Sequence, residues 1–112
     1  MPIQLNESSL TEHEYTPEGF EEESNPPVFV IRPPDEALKT KLSLMAERKA
    51  DTDSVDLVLN QCVIGWKNVL DAKGNESKFN RYKLRFIPNE TRLDLFTEAM
   101  RLSRLDEDQK KT

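Results

Sequence analysis

The sequence predicts a mostly α-helical domain: a small bundle of three or four helices with a short N-terminal strand, preceded by a disordered acidic arm. Three observations carry this. Apolar residues recur at helical spacing in three separate stretches between Pro34 and Leu105. One β-prone run, Val28 to Ile31, stands between prolines. From Met1 to Pro27 there are seven acids (Glu7, Glu12, Glu14, Glu18, Glu21, Glu22, Glu23) and no Lys or Arg, so against a total of −5 the remainder carries +2. The expected organisation is an arm over residues 1–26, a compact helical domain over 27–105, and a frayed polar C-terminus over 106–112. With 112 residues, 36% of them hydrophobic and 33% charged, this is one domain with a light core under a charged surface.

The arm is read as disordered because Ile3, Leu5, Leu10, Tyr15 and Phe20 follow no period among Glu, Ser, Pro and Asn. Such a segment buries too little apolar surface to offset its ordering entropy. It is either a solvating tail or a docking arm using Tyr15 and Phe20. In "PVFVIRP", Pro27 to Pro33, the flanking prolines point to a short strand at a sheet edge.

Pro34 to Lys49 is the first helix. Asp35 and Glu36 suit its positive end, and Leu38, Leu42 and Met45 fall on one face. The "ADTDS" segment, Ala50 to Ser54, interrupts it. Asp51 or Thr52 caps a second helix whose stripe is Val55, Val58, Leu59, Cys62 and Trp66, widened by Leu57, Val63 and Ile64. Gly65 is expected at its end, with positive φ. Asn68 to Ser77 is a polar loop turned by Asp71, Gly74 and Asn75.

Lys78 to Ile87 fits two periods. Tyr82, Leu84 and Phe86 alternate as in a strand, while Phe79, Tyr82 and Phe86 fall at helical spacing. The alternative fold is therefore α+β, with residues 81–87 as a strand. A last helix starts at Pro88-Asn89-Glu90 and ends near Leu105. Leu93, Phe96 and Met100 form one stripe on it, and Leu95, Ala99 and Leu102 a second.

The chemistry-bearing residues are few. The one His, His13, lies in the arm and lacks a rigid frame for catalysis. Cys62, the one Cys, lies on the apolar stripe as a small hydrophobe, and a single Cys fits a reducing compartment. Asp71, Lys73 and Asn75 make a poor calcium loop, with Lys73 where an acid is needed and Gly74 at the wrong place. Two Cys/His residues do not make a zinc site, and Gly19, Gly65 and Gly74 are too far apart for a phosphate loop. No cofactor, metal or enzyme activity is expected. The N-terminus does not read as a signal peptide, and no apolar run is long enough for a membrane span.

Nucleic acid is the main alternative partner. Lys73, Lys78, Arg81, Lys83 and Arg85 interleave with Phe79, Tyr82 and Phe86. The acidic arm and a pI of 4.9 argue against it, and the simpler reading puts the aromatics in the core and the bases in solvent or against the arm. Trp66 is read as a plug between helix and loop, or else as a partner anchor.

An apolar helix ending "CVIGWKNVLDAKGNESKF", a short segment closing on Ile-Pro, and an amphipathic helix together resemble the tail assembly chaperones of long-tailed bacteriophages. In that family a helix runs into a Gly-Trp pair, then a short loop with an acid and a Gly, then an aromatic opening the next helix. The matching positions are Gly65, Trp66, Asp71, Gly74 and Phe79, and "FVIRPPDEALKTKL" is similar to the family's strand and first helix. The resemblance covers roughly residues 27–105; the acidic arm departs from it. It implies a non-enzymatic protein in the cytoplasm of the infected host. Such a protein binds the tape measure protein, helps recruit major tail protein, and is absent from the mature virion. A longer product made by ribosomal frameshifting is a further family property, and Lys110-Lys111 is compatible with a slippery site. The other readings are a phage-encoded nucleic-acid-binding or regulatory adaptor, and a structural tail or head-completion component.

The corner is expected to consist of Cys62, Gly65, Trp66, Asp71, Gly74 and Phe79. The last helix has more apolar surface than one core face needs, so Leu95, Ala99, Met100 and Leu102 are expected to offer a partner or self-association surface, helped by Arg81 and Arg85. The acidic arm is expected to lie over the basic stretch from Lys78 to Arg85.

Overall fold

The computed structural model describes residues 12–47 and 51–110. The expectations for residues 1–11 of the arm, for Arg48 to Ala50, and for Lys111 and Thr112 lie outside the described residues. The elements in order are β1 (His13–Tyr15), β2 (Val28–Ile31), α1 (Glu36–Glu47), α2 (Asp51–Cys62), β3 (Val63–Lys67), a 3-10 helix (Arg81–Phe86) and α3 (Asn89–Lys110). The three strands form an antiparallel sheet in the order β1-β2-β3.

The fold is therefore α+β, and the mostly helical expectation is overturned. Its α+β alternative had the wrong strand, since residues 81–86 are helical. The missing strands are β1 and β3. Helix α2 stops at Cys62, four residues before the stripe predicted. Val63 and Ile64 are β-branched and Gly65 is a poor helix former. Extending them against β2 gains a ladder of paired backbone groups. The helix end is not left bare. The Arg32 N–H donates to the Cys62 carbonyl (2.9 Å) and Arg32 Nε to the Gln61 carbonyl (3.2 Å). Arg81 donates to the Asn60 carbonyl. Two arginines from outside the helix thus take carbonyls that a glycine cap would otherwise satisfy.

Gly65 accordingly sits inside β3 opposite Val30 and not in a left-handed cap. The ladder is irregular at this point, because Val30 faces Gly65 while Ile31 faces Val63. β2 is the central strand, contrary to the expected edge position. Its flanking prolines lie just outside the paired residues, so they cost no ladder bond. Phe29 and Ile31 point to the core, and Val28 and Val30 are half-buried on the other face.

The segment from Glu12 to Pro26 is fastened to the body. Tyr15 pairs with Phe29 across the sheet. Its phenol donates to both carboxylate oxygens of Asp94 (2.8 Å each), and the Glu18 N–H donates to the same carboxylate (3.0 Å). The Glu14 carboxylate pairs with Lys67 (3.3 Å). The ion pair of this segment thus runs to β3, and none joins it to Lys78–Arg85 among the described residues.

α1 starts at Glu36, two residues after the expected Pro34, with Asp35 as its cap. The Asp35 carboxylate accepts from the Leu38 N–H (2.8 Å), and the Gln61 side chain bonds Asp35 at both ends (3.1 and 3.3 Å), tying the start of α1 to the end of α2. α3 runs on to Lys110, past the expected end at Leu105, since residues 106–110 contain neither Gly nor Pro. The core joins Phe29 and Ile31 of the sheet to Leu38, Val58, Leu59, Cys62, Val63, Leu84, Leu95, Ala99 and Leu102. Among the described residues no helix is long and apolar enough to cross a membrane.

Candidate partner-binding surface

The stripe Leu95, Ala99 and Leu102 is not a surface. Leu95 is 0% exposed and the other two are buried with it, so this face of α3 is the core face. Its neighbour stripe flanks that core: Phe96 and Met100 are half-buried, and Leu93 is exposed. The expectation that the second stripe receives a partner is corrected: these side chains belong to the protein's own core, where α3 packs against α2.

The corner is present, in altered form. Trp66 lies in β3, where its ring meets Phe29 edge-on at 6.0 Å and Phe79 at 5.0 Å. Its Nε1–H donates to the Ser77 carbonyl (2.7 Å), so a half-buried polar edge is satisfied. The loop between them is closed by Asp71. Its carboxylate accepts from the Lys73 and Asn75 N–H groups (2.9 and 3.0 Å), and its carbonyl accepts from the Gly74 N–H (3.0 Å). Gly74 has φ of 84°, which a side chain would strain. Asn68 supplies the other left-handed turn, at φ of 60°, and its side chain donates to the Pro26 carbonyl (3.0 Å). Cys62 lies beneath, fully buried, and burial pushes its thiol from 9.0 up to about 12. A thiol held protonated in this way is not a nucleophile at neutral pH.

Beyond Phe79 the chain forms the feature the sequence left open. Asn80 caps the 3-10 helix by accepting from the Tyr82 N–H (2.8 Å). Three residues per turn put Tyr82 and Arg85 on one side and Arg81, Leu84 and Ile87 on another. Leu84 is buried, and Tyr82 (58% exposed) and Phe86 (69% exposed) stand in solvent. Their rings meet edge-on at 5.6 Å, and the Arg85 guanidinium lies 4.0 Å over the Tyr82 ring. The sequence left helix and strand open here because a 3-10 period is neither that of a strand nor that of an α-helix.

The basic residues nearby do not form one track. Lys83 is turned to the Ser77 hydroxyl (2.8 Å) and the Lys78 carbonyl (3.1 Å). Arg81 and Arg85 instead line a cavity of about 320 Å³ with Asp56, Leu59, Asn60, Leu84 and Arg92. The chain matches no family model, no curated protein and no solved structure.

Proposed function

We propose that this is a non-enzymatic assembly protein of the tail assembly chaperone kind. It binds the tape measure protein of a long-tailed phage in the cytoplasm of the infected host. It helps bring major tail protein subunits to the growing tail and does not remain in the mature virion. The observation that carries the reading is the exposed ridge of Tyr82, Arg85 and Phe86. Aromatic and arginine side chains are the types that dominate binding energy at protein interfaces. Two large apolar rings standing in solvent on a capped 3-10 helix suit the exposed apolar stripe of a long helical chain. The sequence resemblance supports the same reading, since Trp66, Asp71, Gly74 and Phe79 together build the corner that presents the ridge. Gly65 departs from it by lying in a strand.

Co-expression with a tape measure protein encoded beside it tests the proposal. The wild-type chain should keep that protein soluble. A Tyr82→Ser, Phe86→Ser double variant that folds normally should leave it in the pellet. Equal solubilisation by the two chains would reject the ridge as the gripping surface. No solubilisation by the wild type would reject the chaperone reading itself.

A further inference from the structure

We propose that the three-arginine cavity beside the ridge is a receptor for a carboxylate side chain of an acidic protein segment. It shares Arg85 and the ridge with the tape measure reading but does not rest on it, since it requires only an acidic partner chain. Arg81, Arg85 and Arg92 line the cavity, and Asp56 is the one carboxylate among its lining residues. The local charge is therefore positive, on a chain that is negative overall.

The three guanidinium groups are set in place by the backbone. Arg81 donates to the Asn60 carbonyl, Arg85 Nε to the Tyr82 carbonyl (3.1 Å), and Arg92 to the Leu84 carbonyl (2.8 Å) and to Asp56. Each keeps further N–H donors beyond these bonds, since a guanidinium has five. Arginines already fixed in position lose little freedom when they grip a planar anion, and their fork matches a carboxylate bidentately. Leu59 and Leu84 form an apolar floor that weakens competition from water.

A single carboxylate fits better than a nucleic-acid strand. A strand needs a continuous run of cations, and here Lys83 is engaged at Ser77 and Lys78 while Asp56 stands in the cavity wall. The adjacent exposed rings of Tyr82 and Phe86 then take the apolar residue next to the acid.

The test is an NMR titration of the full chain with a hexaglutamate peptide. Amide shifts should gather at residues 56–60 and 81–86, and binding should weaken as salt rises from about 50 to about 300 mM. An Arg81→Gln, Arg85→Gln double variant should bind about tenfold more weakly. A Lys73→Gln, Lys78→Gln control, with the same loss of charge elsewhere, should bind within about twofold of wild type. Arg85→Lys keeps the charge without the fork, leaves the helix cap of Arg81 untouched, and should still weaken binding. Equal losses in the arginine and lysine pairs, or shifts away from the cavity, would overturn the proposal. So would inorganic phosphate binding as tightly as the peptide, or an oligonucleotide of matched charge binding more tightly.

Discussion

Trp66 with Phe79 and Tyr82 with Phe86 are two aromatic pairs within about twenty residues of each other, and they have opposite fates. The first pair is wedged edge-on behind the sheet, with the indole N–H tied to Ser77. The second pair has a similar edge-on geometry and stands in water. Ring content therefore does not decide burial. The backbone geometry beneath each pair does: a strand that faces the core puts Trp66 inward, and a three-residue turn that spends its inward position on Leu84 leaves Tyr82 and Phe86 outside. The corner should thus respond to mutation in stability, and the ridge in binding.

The largest effect belongs to the core under both regions. Leu95→Ala should cost about 3 kcal/mol in urea unfolding, and Leu95→Asp should not yield a folded protein, because a carboxylate would replace a fully buried side chain. A stable Leu95→Asp chain would mean that α3 does not pack as described. Next comes the corner. Trp66→Ala should cost about 3 kcal/mol. Trp66→Phe should recover part of that and leave about 1 kcal/mol for the lost bond to the Ser77 carbonyl. If Trp66→Ala melts like wild type yet fails to bind a partner, Trp66 belongs with the ridge and the comparison collapses.

A titration sharpens the same contrast. The Cys62 thiol is held up at about 12 when folded, against 9.0 when exposed. Above pH 9 the unfolded chain gives up this proton and the folded chain keeps it, so stability is intact below pH 9 and falls as pH rises toward 12. Near pH 11 the loss is on the order of 2–3 kcal/mol. Tyr15 acts in the same direction above its ordinary 10.0, raised by burial and then by the Asp94 carboxylate. Urea midpoints of wild type and Cys62→Ala measured between pH 8 and about pH 11 should converge at the alkaline end. Parallel curves would show that Cys62 is not sealed in the core.

These elements were not equally legible in the sequence. α1, α3 and β2 could be read because each has its own clear period or composition, with capping or breaking residues at the boundary. β3 could not, because Trp66 continues the helical stripe of Val55, Val58, Leu59 and Cys62 by spacing alone. Only the pairing offered by β2, more than thirty residues away in sequence, turns the chain out of the helix. β1 is three residues long and its pairing is likewise non-local, so nothing in "HEY" marks it. The corner residues Asp71 and Gly74 were found because turn chemistry is local, whereas Phe79 was matched through the resemblance. The surface role given to Leu95, Ala99 and Leu102 failed because a two-stripe helix looks the same whether its second neighbour is another molecule or the protein's own α2.

The smallest stability effect carries the most weight for function. Phe86→Ser removes a ring that is 69% exposed and supports no element. Its loss should change the unfolding free energy by no more than about 0.5 kcal/mol, the usual range for a surface substitution. The ring partner Tyr82 keeps its stacking with Arg85, so the 3-10 helix should persist. Any loss of partner binding in this variant is then a loss of contact and cannot be charged to unfolding, which is the reverse of what Trp66→Ala should give. Measured side by side for melting temperature and for partner capture, the two variants separate the regions. If Phe86→Ser lowers stability as much as Trp66→Phe does, the ridge is a second structural corner and its exposure has another cause.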